Sequence, residues 1–292
     1  MESQSRVEKL MMMVIIAALA VAAVASWSQW SVTTVSSGSP LPAATERLSP
    51  ADPPNVPAGD SVIGPDSSGP ADAGTAASGA GGSPGPSRGS GPDGAMTVTG
   101  TSAVALTFDD GPDPVNTPKL LDLLRRNQVK ATFCVVGTRV RAYPELVRRI
   151  VAEGHTLCNH SWQHLLDLGT HTPDEIRADL TRTNVAIHAA VPGAPIRYFR
   201  APGGNFTPAL ADTTRTLGMT PLLWTVDPRD WDTTTFGTGA PLANHVVATV
   251  QNITRPGAIV LSHDSGHPDT ATAYAELLPW LKALFTLAAL PT

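Results

Sequence analysis

From residue 104 to the C-terminus, apolar positions follow two alternating rhythms. Short apolar runs of the strand type are separated by stretches whose apolar residues recur three and four apart. Residues 104–108 read as a buried strand ending in Asp109-Asp110-Gly111. Thr117 and Pro118 supply an N-cap and a first-turn proline for a helix to about Asn127. Residues 130–136 form a second strand, and Pro144 starts a helix over 145–153 that Gly154 stops. Residues 156–158 are a short third strand. Thr172-Pro173-Asp174-Glu175 carries the signature of a capping box and predicts a helix to about Ala190. A short strand at 197–200, a helix opened by Thr207-Pro208 and ending at Leu217, and a strand at 220–226 follow. The chain closes with a helix at 242–252, a strand at 258–262 and a helix from Thr270 to about Leu287.

Repeated strand–helix units with short connections predict a parallel sheet with helices outside it. About six units imply an α/β fold, a distorted (β/α) barrel with fewer than the eight units of a complete one. An open doubly wound sheet is the alternative, but no G-x-G-x-x-G follows the first strand, so a dinucleotide site has no support.

Composition changes sharply upstream of this pattern. Residues 31–95 hold 12 Gly and 11 Pro, no aromatic residue and a single isoleucine, Ile63. Such a segment cannot bury enough apolar surface to offset its chain entropy and reads as a disordered linker. The expected organisation is therefore an N-terminal segment at 1–30, the linker at 31–95 and a catalytic-sized domain at 96–292. Arg6 and Lys9 precede an apolar run from Leu10 to Ala25, the pattern of an export signal or anchor. Leu10 to Trp30 is long enough to span a membrane, with Trp27 and Trp30 at the interface. Cleavage after Ala25 would instead free the domain. Either way the domain is expected outside the cytoplasmic membrane, anchored on its outer face or secreted.

From Thr97 onward, 16 basic and 17 acidic side chains leave a net charge of −1. No basic run or arginine-rich face points to nucleic acid as a partner, and a monomer is expected. Export lets disulfides persist. Cys134 and Cys158 fall in what read as neighbouring strands, and two readings stand: a bridge, or a pair of buried thiols.

In a parallel barrel, chemistry collects at the C-terminal strand ends. Those ends read Asp109-Asp110; His160-Ser161-Trp162-Gln163-His164; Arg200-Ala201-Pro202-Gly203-Gly204; Asp227-Pro228-Arg229-Asp230-Trp231; and His263-Asp264. His160 and His164, four apart, would face the same way on a helical turn. With one carboxylate they make an incomplete metal shell that leaves room for water and substrate. Alternation sends Asp109 and Asp110 in different directions, so one can ligate a metal while the other accepts a proton. Arg200 would pair with a carboxylate and keep it ionised. The glycines after it would let backbone N–H groups approach a ligand. Asp230 and Trp231 offer a carboxylate and an aromatic wall. Read singly, each has an ordinary alternative: a turn cap, a structural salt bridge to any acid, a core tryptophan. The remaining histidines lack such surroundings.

Taken together, these ordered motifs resemble the polysaccharide deacetylase family, the NodB-like carbohydrate esterases. The resemblance runs from about Ala103 to Leu290 and includes Thr107-Phe108-Asp109-Asp110-Gly111 and Leu261-Ser262-His263. It implies Asp109 as general base, and Asp110, His160 and His164 as ligands of a divalent metal, usually zinc, with cobalt, nickel or manganese as alternatives. It also implies His263 as general acid, Arg200 paired with Asp109, and Asp230 orienting His263. Trp231 and Leu261 would line an acetyl pocket. The family often carries tyrosine where Gly203 stands. Gly203 still supplies the backbone N–H for an oxyanion, while the absent ring leaves the sugar preference open. The acid would stand opposite the base, arriving on a distant strand.

The implied activity is removal of N-acetyl groups from a cell-surface glycan. A domain tethered near the membrane would meet peptidoglycan first, with chitin-type oligomers second and acetyl-xylan third. The competing readings are an O-acetyl xylan esterase of the same family and a catalytically silent, tethered glycan-binding module. Intact Asp109 and His263 argue against the silent module, because a binder needs neither.

Overall fold

The computed structural model describes residues 91–292. The expected N-terminal apolar segment and nearly all of the expected linker lie outside the described residues. Among the described residues, no helix is long and apolar enough to cross a membrane.

Six strands form one parallel sheet: β1 (Ala105–Asp109), β2 (Thr132–Val135), β3 (Thr156–Asn159), β4 (Tyr198–Phe199), β5 (Thr220–Pro221) and β6 (Ile259–His263), in the order β5-β4-β3-β2-β1-β6. Among the described residues, eight α-helices connect and cover them: α1 (Asn116–Asn127), α2 (Gly137–Ala142), α3 (Pro144–Ala152), α4 (Pro173–Ala190), α5 (Pro208–Thr216), α6 (Thr233–Phe236), α7 (Ala240–Ile253) and α8 (Pro268–Leu284).

The two-residue period of the strands sorts their side chains into two layers. Leu106, Phe108, Phe133, Val135, Leu157 and Val260 face outward into the main core beneath the helices. The intervening positions face inward, where Ala105, Cys134, Cys158 and Ile259 pack with Met96, Tyr198, Leu222 and Leu290. The same alternation along β1 runs from Ala105 through Thr107 to Asp109, carrying the inner face from apolar to acidic toward the C-terminal end. The last residues are tied to this inner layer: the Leu290 amide donates to Thr132 Oγ1, and Thr156 Oγ1 donates to the Leu290 carbonyl.

The sheet nearly closes. The run at 220–226 was expected as one strand, but only Thr220–Pro221 pairs with β4. Pro221 has no N–H for a ladder, which is tolerated at an edge and not within a continuous central strand. Beyond it Leu222 bridges Met96 and Val226 bridges Val260, so the segment leaves β5 and crosses to β6. The result is the distorted barrel of fewer than eight units.

Other elements match their sequence signals with instructive differences. Thr172 and Glu175 form the expected capping box of α4, and Thr207 caps α5. Thr117 is not an N-cap. The helix α1 begins at Asn116, and Asp113 Oδ1 accepts from the Val115 and Asn116 amides instead. Thr117 is thereby fully buried inside the first turn. The short α2 and α6 carried too few apolar repeats to be read. The open question about the cysteines is resolved by register: Cys134 and Cys158 are direct partners on β2 and β3, 4.1 Å apart at Cα, and are bridged.

Candidate active site

The expected site residues converge on one pocket of about 390 Å³ at the C-terminal strand ends. Asp109, Asp110, His160, His164, Gly203, Trp231, Leu261 and His263 all line it.

Asp109 closes β1 and is almost completely buried. Its Oδ1 accepts from Arg200 Nη1 at 2.7 Å. Arg200 is also fully buried: Nη1 donates to Thr107 Oγ1 as well, Nη2 donates to the Leu223 carbonyl, and Nε is buried without a hydrogen-bond partner. The Asp109 carboxylate thus offsets a buried guanidinium that is only partly satisfied by other acceptors. Asp109 Oδ2 is left toward the pocket, 3.7 Å from His160 Nε2.

Asp110 adopts φ +76°, unusual for a residue with a side chain, and so turns away from the strand's alternation. Its Oδ1 lies 3.2 Å from His160 Nε2 and 3.1 Å from His164 Nε2. The histidines are not on a helical turn, as their spacing suggested. A loop holds them, with Ser161 at φ +64° and His164 at φ +61°. Asn159 Oδ1 accepts from the Ser161 amide, and Ser161 Oγ accepts from the His164 amide. With Arg229 at φ +52°, four non-glycine residues in or next to the site are left-handed, the kind of backbone strain that clusters at functional sites.

These three side chains fit a cation. Their ligand atoms lie within 4.8 Å of one another. Asp110 Oδ1 is buried without a hydrogen-bond partner, so both imidazole nitrogens face it without meeting hydrogen-bond geometry. His160 Nδ1 lies 2.8 Å from the Arg200 carbonyl, an arrangement that places the proton on Nδ1 and leaves the Nε2 lone pair for a metal. Burial opposes charge on His160, but Asp109 and Asp110 outweigh it and raise its pKa. Burial likewise opposes charge on Asp110, yet His160, His164 and His263 hold its pKa well below the usual carboxylate range. The site thus favours positive charge at this point, whether a proton or a metal carries it.

His263 ends β6. Its Nδ1 lies 2.7 Å from Asp230 Oδ1, and its amide donates to Asp230 Oδ2. Thr270 Oγ1 donates to the same Oδ2 at 2.6 Å, so the fully buried Asp230 is fixed from three sides. Burial works against a charged imidazole, but Asp230 more than offsets it and His263 is pushed up to about 9. His263 does not arrive on a strand distant in space: β6 adjoins β1, and His263 is the register partner of Asp109.

Gly203 has φ +63°, a conformation that suits glycine; an added Cβ would meet Asn205 Nδ2 at 3.1 Å and Leu166 Cδ2 at 3.2 Å. Trp231 stands at the rim, 44% exposed, while Leu261 is buried behind it. Sequence reasoning missed Leu166 and Trp224 as lining residues and Thr270 as a support for Asp230, while Asp227, read as part of a strand-end motif without a role of its own, lines the pocket. A threonine seven positions past a strand carries no local signal for such a role. Asp264 was also without a role. It is buried, and burial, opposed by a hydrogen bond from Thr117 and reinforced by Asp110 and Asp109, pushes it up to about 7.

A curled parallel sheet gathers carboxylates and imidazoles at its C-terminal rim, the kind of site where hydrolytic chemistry is placed in barrel folds. Comparison with known proteins gives the family. Residues 97–222 match the family model described as polysaccharide deacetylase. The chain is 44% identical over 171 residues to a chitooligosaccharide deacetylase of Bradyrhizobium, which covers 59% of this chain and 74% of that protein. It is 37% identical over 183 residues to a peptidoglycan-N-acetylglucosamine deacetylase of Bacillus cereus, covering 61% and 81%. The solved peptidoglycan deacetylase of Bacillus subtilis superposes with a TM-score of 0.57 at 31% identity, covering 65% of this chain and 88% of that one. This chain belongs to the polysaccharide deacetylase family. The model match ends before Asp230 and His263; the fold brings His263 into the same pocket and buries Asp230 against its Nδ1.

Proposed function

We propose that this protein is a metal-dependent hydrolase that removes N-acetyl groups from cell-surface glycan, with peptidoglycan as the first substrate and chitin-type oligomers as the second. The observation that carries this reading is the pairing of a carboxylate held by arginine, Asp109, with an imidazole held by aspartate, His263, beside the Asp110–His160–His164 set. Two imidazoles and a carboxylate suit zinc, with cobalt, nickel or manganese as alternatives. Bound there, the metal supplies Lewis-acid polarisation of an acyl oxygen and acidifies water.

The chain's own groups do the rest. Asp109 Oδ2, free of the arginine, takes a proton from the attacking water. The backbone N–H of Gly203 is the donor we assign to the developing oxyanion, and Trp231 and Leu261 enclose the acetyl methyl. His263, protonated through neutral pH, gives its proton to the departing amine nitrogen. Water adds to the acyl carbon, the carbon–nitrogen bond breaks, and acetate and a free amine leave. The proton delivered to the amine matters because amines are poor leaving groups.

Peptidoglycan ranks first because a tether formed by the expected anchor and linker would keep the domain near nascent wall. A linker of 65 residues has a typical span of ~40–50 Å. The chitin reading is supported by the higher identity to the chitooligosaccharide deacetylase. Export and anchoring at the outer face of the cytoplasmic membrane, or secretion after cleavage at Ala25, belong to the same proposal.

The test is acetate release from acetylated chito-oligomers and from isolated wall glycan. Release from either, slowed ~10²–10⁴-fold by Asp109→Asn, is the expected result. A binding module would hold glycan and release nothing.

A further inference from the structure

One buried carboxyl next to the catalytic groups has no part in the reaction described above. Asp264 follows His263 directly and is 2% exposed. Its amide donates to the Asp109 carbonyl at 3.1 Å, extending the β6–β1 ladder by one rung past the catalytic pair. Its Oδ2 accepts from Thr117 Oγ1 at 2.5 Å. Thr117 Oγ1 in turn accepts from the Asp113 amide at 2.7 Å. The carboxyl also occupies the space where a Cβ on Gly111 would stand, so glycine is required there for close approach. Both ends of the 109–113 turn are thus tied to one residue just past β6, Asp109 through the Asp264 main-chain N–H and Asp113 through the Asp264 carboxyl and Thr117.

We propose that Asp264 is a positioning residue for the reaction: together with Thr117 it clamps the turn carrying Asp109 and Asp110 onto the strand carrying His263, and so fixes base and acid relative to one another. A displacement of about 1 Å between such groups costs on the order of 10²-fold in rate. The geometry also accounts for Thr117 lying inside α1 rather than at its cap: the hydroxyl serves the clamp.

The proposal rests on the deacetylase reading, and its test separates the two. Acetate release, zinc content and amide hydrogen exchange are measured for the zinc-loaded wild-type chain and for Asp264→Ala, Asp264→Asn and Thr117→Val. Asp264→Ala is expected to keep one equivalent of zinc and a KM within about twofold, while kcat falls ~10²-fold. Asp264→Asn retains shape and an acceptor for Thr117 and should recover most of that loss. Thr117→Val should lower kcat with KM unchanged, which keeps the test decisive should Asp264→Ala fail to fold. Exchange at the Asp113 amide should quicken in Asp264→Ala and Thr117→Val, and this readout does not depend on activity. An inactive wild type would sink the deacetylase reading, and the exchange data would still judge the clamp. Unchanged kcat in folded Asp264→Ala, an Asn variant as slow as the Ala variant, or unchanged Asp113 exchange would overturn the positioning role.

Discussion

Asp109 and His263 occupy the same register position on adjacent parallel strands, 154 residues apart in the chain, yet each is held by a different partner. Arg200 takes one oxygen of Asp109, and Asp230 takes Nδ1 of His263. Parallel neighbours in register present side chains to the same face of the sheet. Asp109 and His263 therefore reach one pocket by strand pairing, and each is held there by its own partner, Arg200 or Asp230.

The Asp230 contact predicts the alkaline limb of activity. His263 must carry its proton to act as an acid, and its pKa of about 9 keeps it charged across neutral pH. The kcat/KM of the free enzyme should hold to about pH 9 and fall above it. Asp230→Asn removes the charge that offsets burial, so the limb should move down toward or below the ordinary 6.5. Stability follows the same sign. A raised folded pKa contributes fully below 6.5, and that contribution is lost as pH rises through about 9. An unmoved limb in Asp230→Asn would take the acid role from His263.

Arg200 is a fully buried cation facing a buried carboxylate. Removing one member of such a pair strands the other, at a cost of ~3–5 kcal/mol. Arg200→Ala should lose stability of this order in urea unfolding. Asp109→Asn should lose less, because its amide oxygen still accepts from the guanidinium. A loss below about 1 kcal/mol for Arg200→Ala would contradict the buried-pair account.

Much of this was legible in the sequence, for reasons that can be named residue by residue. The capping box at Thr172 and Glu175 works locally, so three residues suffice to read it. Except for the fifth strand, the strand ends read to within one residue, because buried parallel strands are continuous apolar runs and polar residues stand out where they stop. Local signals fail where tertiary partners decide. Thr117 looked like a cap until Asp264 claimed its hydroxyl. The loop at His160 and His164 is closed by Asn159 and Ser161, not by helical hydrogen bonds. Residues 222–226 follow the hydrophobic pattern of one strand, but the barrel's closure sends them to β6.

The bridge between Cys134 and Cys158 joins neighbouring strands at a sequence separation of 24. In the chain-entropy model a loop of this length contributes roughly 3 kcal/mol. Unfolded, unreduced protein should show no thiol open to alkylation. Replacing both cysteines with alanine should lower stability by that order, with the pocket still able to bind metal. Two free thiols in the unreduced protein would rule the bridge out.

The most direct measurement of the central claim is acetate release from an acetylated chito-oligomer by protein stripped with a chelator and then titrated with zinc. The stripped protein should release almost nothing, and release should return and level off at one equivalent. His160→Ala and His164→Ala should neither retain that equivalent nor recover. Undiminished release by protein shown by elemental analysis to be metal-free would contradict the claim.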